Sequence, residues 1–316
     1  MPPKCGHFSR PDARLLAFVV ALAGCSPIQA EVGSGEPPTS DASNASDAGN
    51  AGDAGFTLFT DFASNDGLWT LRAEPGGGTD FGVGDPGAGD RKVAELRYPG
   101  QAGLSPTDRV GPPFATEIPS TSRLHFGTYR TSLAVSRCPV DQDVVSAMFV
   151  FFNDGSDANH NGIADNDEID VQFLCSAPSI MYLTIWTDYE EDDAGRPLRF
   201  IKLRRIVDFA TGDVYDSTSD TSDDYVKTAT EPSFVRPGFP AASTFYEMGF
   251  DWHADSVRFF LVLGGAELTL WSVADRAHIP QSTARILYNM WHPSEHWYPR
   301  TGPAAYPTGD VTLRVD

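Results

Sequence analysis

The chain has 316 residues, with 43 acidic and 23 basic side chains and a formal net charge of -20. This length allows one large all-β domain or two small ones, since sandwiches and barrels commonly exceed two hundred residues. The strong acidity would repel a phosphate backbone, so we expect no nucleic-acid partner. It fits an extracellular protein, a neutral polymer substrate or bound metal ions, without choosing among them.

The first 25 residues have the charge order of a secretory signal. Basic residues at positions 4, 10 and 14 precede the apolar run 15–22, which is too short to span a bilayer. The run ends in Leu22-Ala23-Gly24-Cys25, which resembles a bacterial lipobox, where the cysteine becomes the lipidated first residue. We expect residues 1–25 to be a lipoprotein signal, and a plain signal peptide cleaved after Ala30 is the alternative. The predicted location is the bacterial cell envelope, as an outer-membrane lipoprotein or a secreted protein, with membrane contact only through the lipid.

Residues 26–55 are predicted to be a flexible linker. From Glu31 to Gly55 the sequence is mostly Gly, Ser, Ala, Asp, Asn and Pro, and it buries too little apolar surface to offset the entropy of ordering. Aromatic side chains return at Phe56. One folded domain is therefore expected over residues 56–316, as a monomer.

Short apolar runs, alternating or rich in aromatics, fill residues 56–316 and are separated by Gly, Pro, Asn and Asp, without sustained helical periodicity. Evenly spaced strands of this kind predict an all-β, two-sheet jelly-roll sandwich of the concanavalin type. The Thr-, Ser- and Asp-rich stretch 208–231 is predicted to be a long surface loop. The run 312–316 reads as a strand, either short or cut off by the end of the chain. The other predicted strands are 129–135, 144–152, 168–174, 181–187, 245–252, 257–263 and 286–291.

Two cysteines remain after Cys5 is assigned to the signal and Cys25 to the lipid. Cys138 and Cys175 each follow a predicted strand. If strand 144–152 lies between those two strands in a meander, both cysteines lie at one end of the sheet, and we expect a disulfide in an oxidising compartment. Two buried thiols are the alternative, because the intervening strand would separate them by roughly 10 Å.

One predicted strand carries three polar side chains on a single face. Glu168, Asp170 and Gln172 alternate with apolar residues, so they point to one side of a sheet. A solvent-exposed strand face is the plain interpretation. The first and last of the three lie roughly 13 Å apart along the strand, and long side chains leaning together could reach the ~5 Å separation of a retaining glycosidase pair.

This strand resembles the ExDxE strand of the lichenase and laminarinase group of β-glucanases, glycoside hydrolase family 16. Glu168 and Asp170 match that pattern, and Gln172 stands where the family has its second glutamate. The resemblance implies a retaining endo-β-glucanase acting on β-1,3/1,4-glucans, with β-glucan polysaccharide as the partner. Four further segments resemble the family in the same order, namely 126–130, 145–151, 249–252 and 289–291.

Carried over by position, the resemblance makes Glu168 the nucleophile and Asp170 the residue that orients it. The acid/base position is Gln172. For the aromatic residues of the predicted cleft, core packing is the alternative. The implied sugar contacts are Phe149, Phe151, Asn289 and Trp291, and Trp297 in the following loop is expected to face the same cleft.

A glutamine at the acid/base position predicts impaired hydrolysis. A carboxamide can neither donate a proton to the leaving oxygen nor activate water, and losing such a group costs roughly a hundred- to ten-thousand-fold in rate. Two hypotheses follow: a weak hydrolase that borrows a donor such as His296 or Glu190, and a non-catalytic glucan-binding surface lipoprotein. A transglycosylase would need the same acid and is disfavoured equally.

The twelve residues that end at Glu168 fit a calcium-binding loop, with Gly162 at the sixth position. Glu168 fills the twelfth position, and ligation there would take it out of the cleft, although Asp167 could serve instead. A polar loop between strands is the alternative. Structural calcium is therefore predicted, with ligands from Asp157, Asn159, Asn161, Ile163 and Asp165.

Overall fold

The computed structural model describes residues 60–73, 76–101, 103–104, 114–191, 197–240 and 244–316. The predicted lipobox with Cys25 and the linker 26–55 lie outside the described residues. Within the described ranges, no helix is long and apolar enough to span a bilayer.

A nine-stranded antiparallel sheet forms one layer. At its centre lie the strands that carry the predicted site. In spatial order its strands are β1 (Arg72–Ala73), β4 (Phe114–Pro119), β15 (Arg285–Trp291), β6 (Val145–Phe152), β7 (Asp165–Leu174), β8 (Ile180–Glu191), β9 (Pro197–Asp208), β10 (Asp213–Ser217) and β11 (Tyr225–Thr230).

A seven-stranded antiparallel sheet forms the second layer, and together the layers make the predicted two-sheet jelly-roll sandwich. Three short 3-10 helices, Pro86–Ala88, Pro232–Phe234 and Arg276–His278, connect strands. The second sheet runs in the order β14 (Ala266–Val273), β13 (Ser256–Leu263), β12 (Tyr246–His253), β5 (Gly127–Val135), β16 (Val311–Val315), β3 (Lys92–Tyr98) and β2 (Gly78–Gly84).

The hydrophobic core lies between the two sheets. On β7 the apolar positions Ile169, Val171 and Phe173 belong to this core, which they share with Phe250 and Trp252 of β12. Because side chains alternate along a strand, the polar positions of β7 lie on the opposite, outer face of the nine-stranded sheet. The period-two pattern thus predicted correctly which side chains leave the core.

The predicted meander before the first cysteine is wrong. β5 lies in the seven-stranded sheet, while β6 pairs with β15 and β7. The chain leaving β5 crosses to the other sheet, where the backbone N–H of Cys138 donates to the carbonyl of Cys175 at 3.0 Å. The structure joins these two cysteines in a disulfide with their Cα atoms 5.2 Å apart, since no strand lies between them.

The prediction of a long surface loop at 208–231 is also wrong, because this stretch contains β10 and β11 at the edge of the nine-stranded sheet. The polar side chains bond across the pair instead of leaving the sheet. Thr228 donates to Asp216 at 2.7 Å, and Thr230 donates to Asp213 at 2.8 Å. An exposed edge pair tolerates a composition that otherwise indicates a loop.

Candidate functional site

The central strands of the nine-stranded sheet bring the predicted polar residues together on the outer face. Glu168 is half-buried, whereas Asp170 and Gln172 are buried, at 0% and 7% exposure. Their cross-strand neighbours are in part the predicted aromatic contacts. Glu168 lies between Phe151 and Trp186, Asp170 between Phe149 and Thr184, and Gln172 between Ala147 and Tyr182.

A row of four side chains crosses the strands at the level of Gln172. Asn289 of β15 is paired with Ala147, which is paired with Gln172, which is paired with Tyr182. Ala147, at 1% exposure, lies between the predicted Asn289 and Gln172 in this row.

Three polar atoms of this row are buried without a hydrogen-bond partner among the described residues: Gln172 Oε1, Tyr182 OH and Asn289 Oδ1. Leaving a buried donor or acceptor unsatisfied costs about 1–3 kcal/mol for each group, so such atoms are rare in folded proteins. Three of them in one row on the outer face are suited to a ligand rich in hydroxyl groups, which would both donate and accept.

Glu168 and Asp170 are two carboxyl groups on the outer face of β7, close enough for the charge of each to act on the other. Burial raises the pKa of both groups, and the neighbouring charge of Glu168 raises the pKa of Asp170 further, well above its ordinary value. Asp170 therefore keeps its proton to a higher pH than an ordinary aspartate does. The side chain of Asn166 donates to Glu168 Oε2 at 3.1 Å and stabilises the anion. A half-buried carboxylate held in this way has the form that a nucleophile needs.

Neither proton donor that the sequence suggested as a substitute for Gln172 is free. Arg199 holds the carboxylate of Glu190 through its Nε at 2.8 Å, at the far end of β8. His296 donates from Nδ1 to Asp143, and its Nε2 lies 3.2 Å from a nitrogen of Arg300. Asp143 also precedes Ala147 by four residues, roughly 13 Å along the strand from the Gln172 row.

The aromatic residues divide into two groups. Phe149 and Trp291, at 3% and 8% exposure, pack in a second hydrophobic cluster on the outer face. Both side chains therefore form mainly the floor of this face. Phe151 and Trp297 are partly exposed beside it. Trp297 lies with its ring centroid 5.5 Å from Trp291 and 5.1 Å from Tyr182.

Two cations on β9 lie on the same face and were missed from the sequence. Lys202 is 2% exposed, with Nζ 4.6 Å from the Trp186 ring centroid and an ion pair to Asp223. Burial, with the nearby Arg204, lowers the pKa of Lys202 to about 8. The signal that could have found them is the period-two spacing of positions 202, 204 and 206.

Arg204 is set between the β-sheet surface and Trp297. Its Nε donates to Thr184 at 2.9 Å, and its guanidinium carbon lies 4.8 Å from the Trp297 ring centroid. Because Thr184 pairs with Asp170, Arg204 lies in the same cross-strand row as that carboxyl group. Its charge favours the ionised forms of Glu168 and Asp170 against the effect of burial.

No family model and no curated protein matches the chain. Among solved structures, it is similar to a β-glucanase from Bacillus licheniformis, at 15% identity and a TM-score of 0.45, over 83% of this chain and 96% of that one. A κ-carrageenase from Pseudoalteromonas carrageenovora with a bound oligotetrasaccharide gives 12% identity and a TM-score of 0.47, over 81% and 89%. A laminarinase catalytic domain from Thermotoga petrophila gives 10% and 0.43, over 80% and 90%. Likeness at this level carries no argument about activity.

The predicted calcium loop precedes β7 and is held by its own side chains. The carboxylate of Asp157 accepts from the backbone N–H groups of Asn161 and Gly162 at 3.0 and 2.9 Å. Asp165 accepts from the N–H of Ala158 at 2.6 Å. The predicted side-chain ligands of calcium are amide and carboxylate groups, and oxygen is the ligand atom that calcium prefers.

The twelfth position of this loop is not filled as expected. Glu168 turns to Asn166, and Asp167 accepts from the N–H of Ser282 at 2.7 Å, so neither reaches the loop. Asp188 of β8, at 1% exposure, lies against the loop and accepts from the side-chain amides of the loop residues Asn159 and Asn161 at 2.9 and 2.8 Å. The loop and Glu168 are therefore separate, and a calcium ion here would leave Glu168 on the outer face.

Proposed function

We propose that this protein binds a β-linked glucan on the outer face of its nine-stranded sheet, on a scaffold of the retaining-glucanase type without a working acid/base residue. The observation that carries the proposal is the row of unpartnered polar atoms on Asn289, Gln172 and Tyr182. Sugar hydroxyl groups would satisfy these atoms. The partly exposed rings of Phe151 and Trp297 supply the apolar surface that carbohydrate sites combine with a few directed polar groups.

Slow hydrolysis is the second candidate, favoured by the coupled pair of Glu168 and Asp170. Retaining chemistry needs a carboxyl group on each side of the glycosidic bond, one as nucleophile and one as acid and then base. Gln172 has no proton to give, Glu190 is held by an ion pair with Arg199, and His296 is hydrogen-bonded to Asp143. Binding is therefore favoured over turnover.

Lipid anchoring through Cys25 and a structural calcium ion at 157–165 are part of the proposal. The anchor rests on the lipobox of the sequence. The calcium site rests on the oxygen-rich loop, with Asp188 as the carboxylate from the neighbouring strand.

The first prediction restores the missing carboxyl group. Gln172→Glu changes an amide to a carboxylic acid of nearly the same size, so the strand alternation is kept. Reducing-sugar release from lichenan and laminarin should rise at least about tenfold, and the gained activity should show a pH optimum. Binding of wild type to the same polymers is measured in parallel by calorimetry.

Glu168→Gln in the Gln172→Glu background is the matched control and should remove the gained activity. If Gln172→Glu folds and binds glucan yet releases no sugar, Glu168 is not poised as a nucleophile and the binding function alone stands. If wild type binds neither polymer, the proposed function is wrong.

A further inference from the structure

One loop crosses the outer face of the nine-stranded sheet. Residues 292–303, here named the crossing loop, leave β15 after Trp291 and carry Trp297 over Tyr182 of β8. The next residue, Tyr298, packs on Tyr215 of β10 and Tyr225 of β11, at 5.2 and 5.4 Å between ring centroids. The loop therefore spans the strands beside the Gln172 row and forms a wall of the proposed glucan site.

A buried polar cluster attaches the crossing loop to the sheet. Asp143, which precedes β6 and is fully buried, accepts hydrogen bonds from His296 and from the hydroxyl of Ser176. Arg300 donates to Ser176 and to the carbonyl of Val140, and its Nη1 lies 3.5 Å from the Asp143 carboxylate. His296 and Arg300 flank Trp297 in sequence, so these bonds hold the loop on both sides of the ring.

The hydrogen bonds define the protonation state of this cluster. Nδ1 of His296 donates to the carboxylate, and Nε2 faces the donor Nη2 of Arg300 at 3.2 Å, so Nε2 carries no proton. These two bonds fit an imidazole whose one ring proton is on Nδ1. The charges then balance, with one partly exposed guanidinium against one buried carboxylate.

We propose that Asp143, His296 and Arg300 form a positioning cluster that holds Trp297 against the glucan site, and that protonation of His296 releases it. This rests on the proposed glucan binding. A proton on Nε2 would place two N–H donors against each other and leave a second cation beside one carboxylate. Arg300 would have to move, and Trp297 would lose one of its two attachments.

The groups that face His296 support this direction. Asp143 favours the imidazolium, but it already carries the charge of Arg300. His292, the first residue of the crossing loop, is buried, and burial lowers its pKa, so it adds no balancing charge. Tyr182, whose pKa is raised by burial, stays neutral. The low-dielectric surroundings make an unbalanced charge costly.

The test measures glucan affinity by calorimetry with lichenan or laminarin at about pH 7.5 and about pH 5, where histidine changes charge. Wild type should bind at least about threefold more weakly at the lower pH. His296→Gln keeps a donor for Asp143 but does not titrate, so its loss of affinity between the two pH values should be smaller than that of wild type. His253→Gln, on the exposed end of β12, is the matched control and should behave as wild type.

Trp297→Ala should weaken binding about tenfold at the higher pH, as expected for one stacked aromatic ring. Asp143→Asn should approach that loss with a normal far-UV circular dichroism spectrum, and His296→Gln supplies the readout if this variant does not fold. Equal pH dependence in wild type and His296→Gln would overturn the positioning cluster while leaving glucan binding intact. No loss in Trp297→Ala would overturn the wall itself, and no binding by wild type would overturn the proposed function.

Discussion

Asp170 is a fully buried carboxyl group beside another carboxyl group, and it is stabilising only while it keeps its proton. Burial and the charge of Glu168 raise its pKa well above the value in the unfolded chain. The folded state therefore binds this proton more tightly than the unfolded state. The contribution to the free energy of unfolding is greatest below the ordinary aspartate pKa and is lost as the pH rises towards the folded-state pKa. A loss of folding stability from ionising a buried carboxyl group is typical of functional sites.

Asp170→Asn removes this pH-dependent cost and keeps the size of the side chain. The melting temperature at about pH 7.5 should rise by at least about 2 °C over wild type, which corresponds to about 1 kcal/mol for a domain of this size. The gain should shrink at about pH 4, where the unfolded aspartate also becomes protonated. Differential scanning calorimetry at both pH values measures it. A variant less stable than wild type at both would contradict the raised pKa.

At the level of strands, the alternation of residues 168–174 predicted both the core side and the outer side of β7, because a strand offers only two faces. The same argument explains the misses. β5 was assigned to the wrong neighbours, since alternation says nothing about which sheet a strand joins. β10 and β11 were missed because their polar residues bond to each other at an edge. The role of Arg204 depends on a contact with Trp297, which lies 93 positions away in the sequence and which no local pattern reports.

The loop from Asp157 to Asp165 is the element in which a bound ion should act on stability. A ligand that binds only the folded state adds stability by mass action, about 2.7 kcal/mol at a hundredfold excess over its Kd. Millimolar calcium should therefore raise the melting temperature by at least about 3 °C, and EDTA should reverse the rise. Asp188→Asn should abolish the calcium response, because it replaces the carboxylate that faces the loop with a neutral amide.

Asp255→Asn, in the exposed turn between β12 and β13, is the matched control for Asp188→Asn and should keep the full calcium response. An unchanged melting temperature of wild type with calcium would remove the predicted site. Because Glu168 lies outside the loop, EDTA should leave glucan affinity within about twofold of its starting value, apart from any loss of folded protein.

At the scale of the whole molecule, charge and apolar surface are distributed unevenly. The chain carries a net charge of -20, yet Lys202 and Arg204 lie together on the outer face beside the carboxyl pair. Near the start of the described residues, Phe62 is 2% exposed and stacks on Trp69 with 5.4 Å between ring centroids. The acidic linker that the sequence predicts at 26–55 would act as a tether that lets such a domain sample polymers away from a surface of like charge.

The last prediction concerns the attachment of that tether. If Cys25 is lipidated, wild type expressed with its own leader in a Gram-negative host should sediment with the membranes and be released by detergent. Its mature chain should begin at residue 25, with the added mass of the acyl chains. Cys25→Ala removes the acceptor thiol and should move most of the protein to the soluble fraction, whereas Cys5→Ala, inside the predicted leader, should not. A soluble wild-type protein that begins at residue 31 would show instead that a plain signal peptide is cleaved after Ala30.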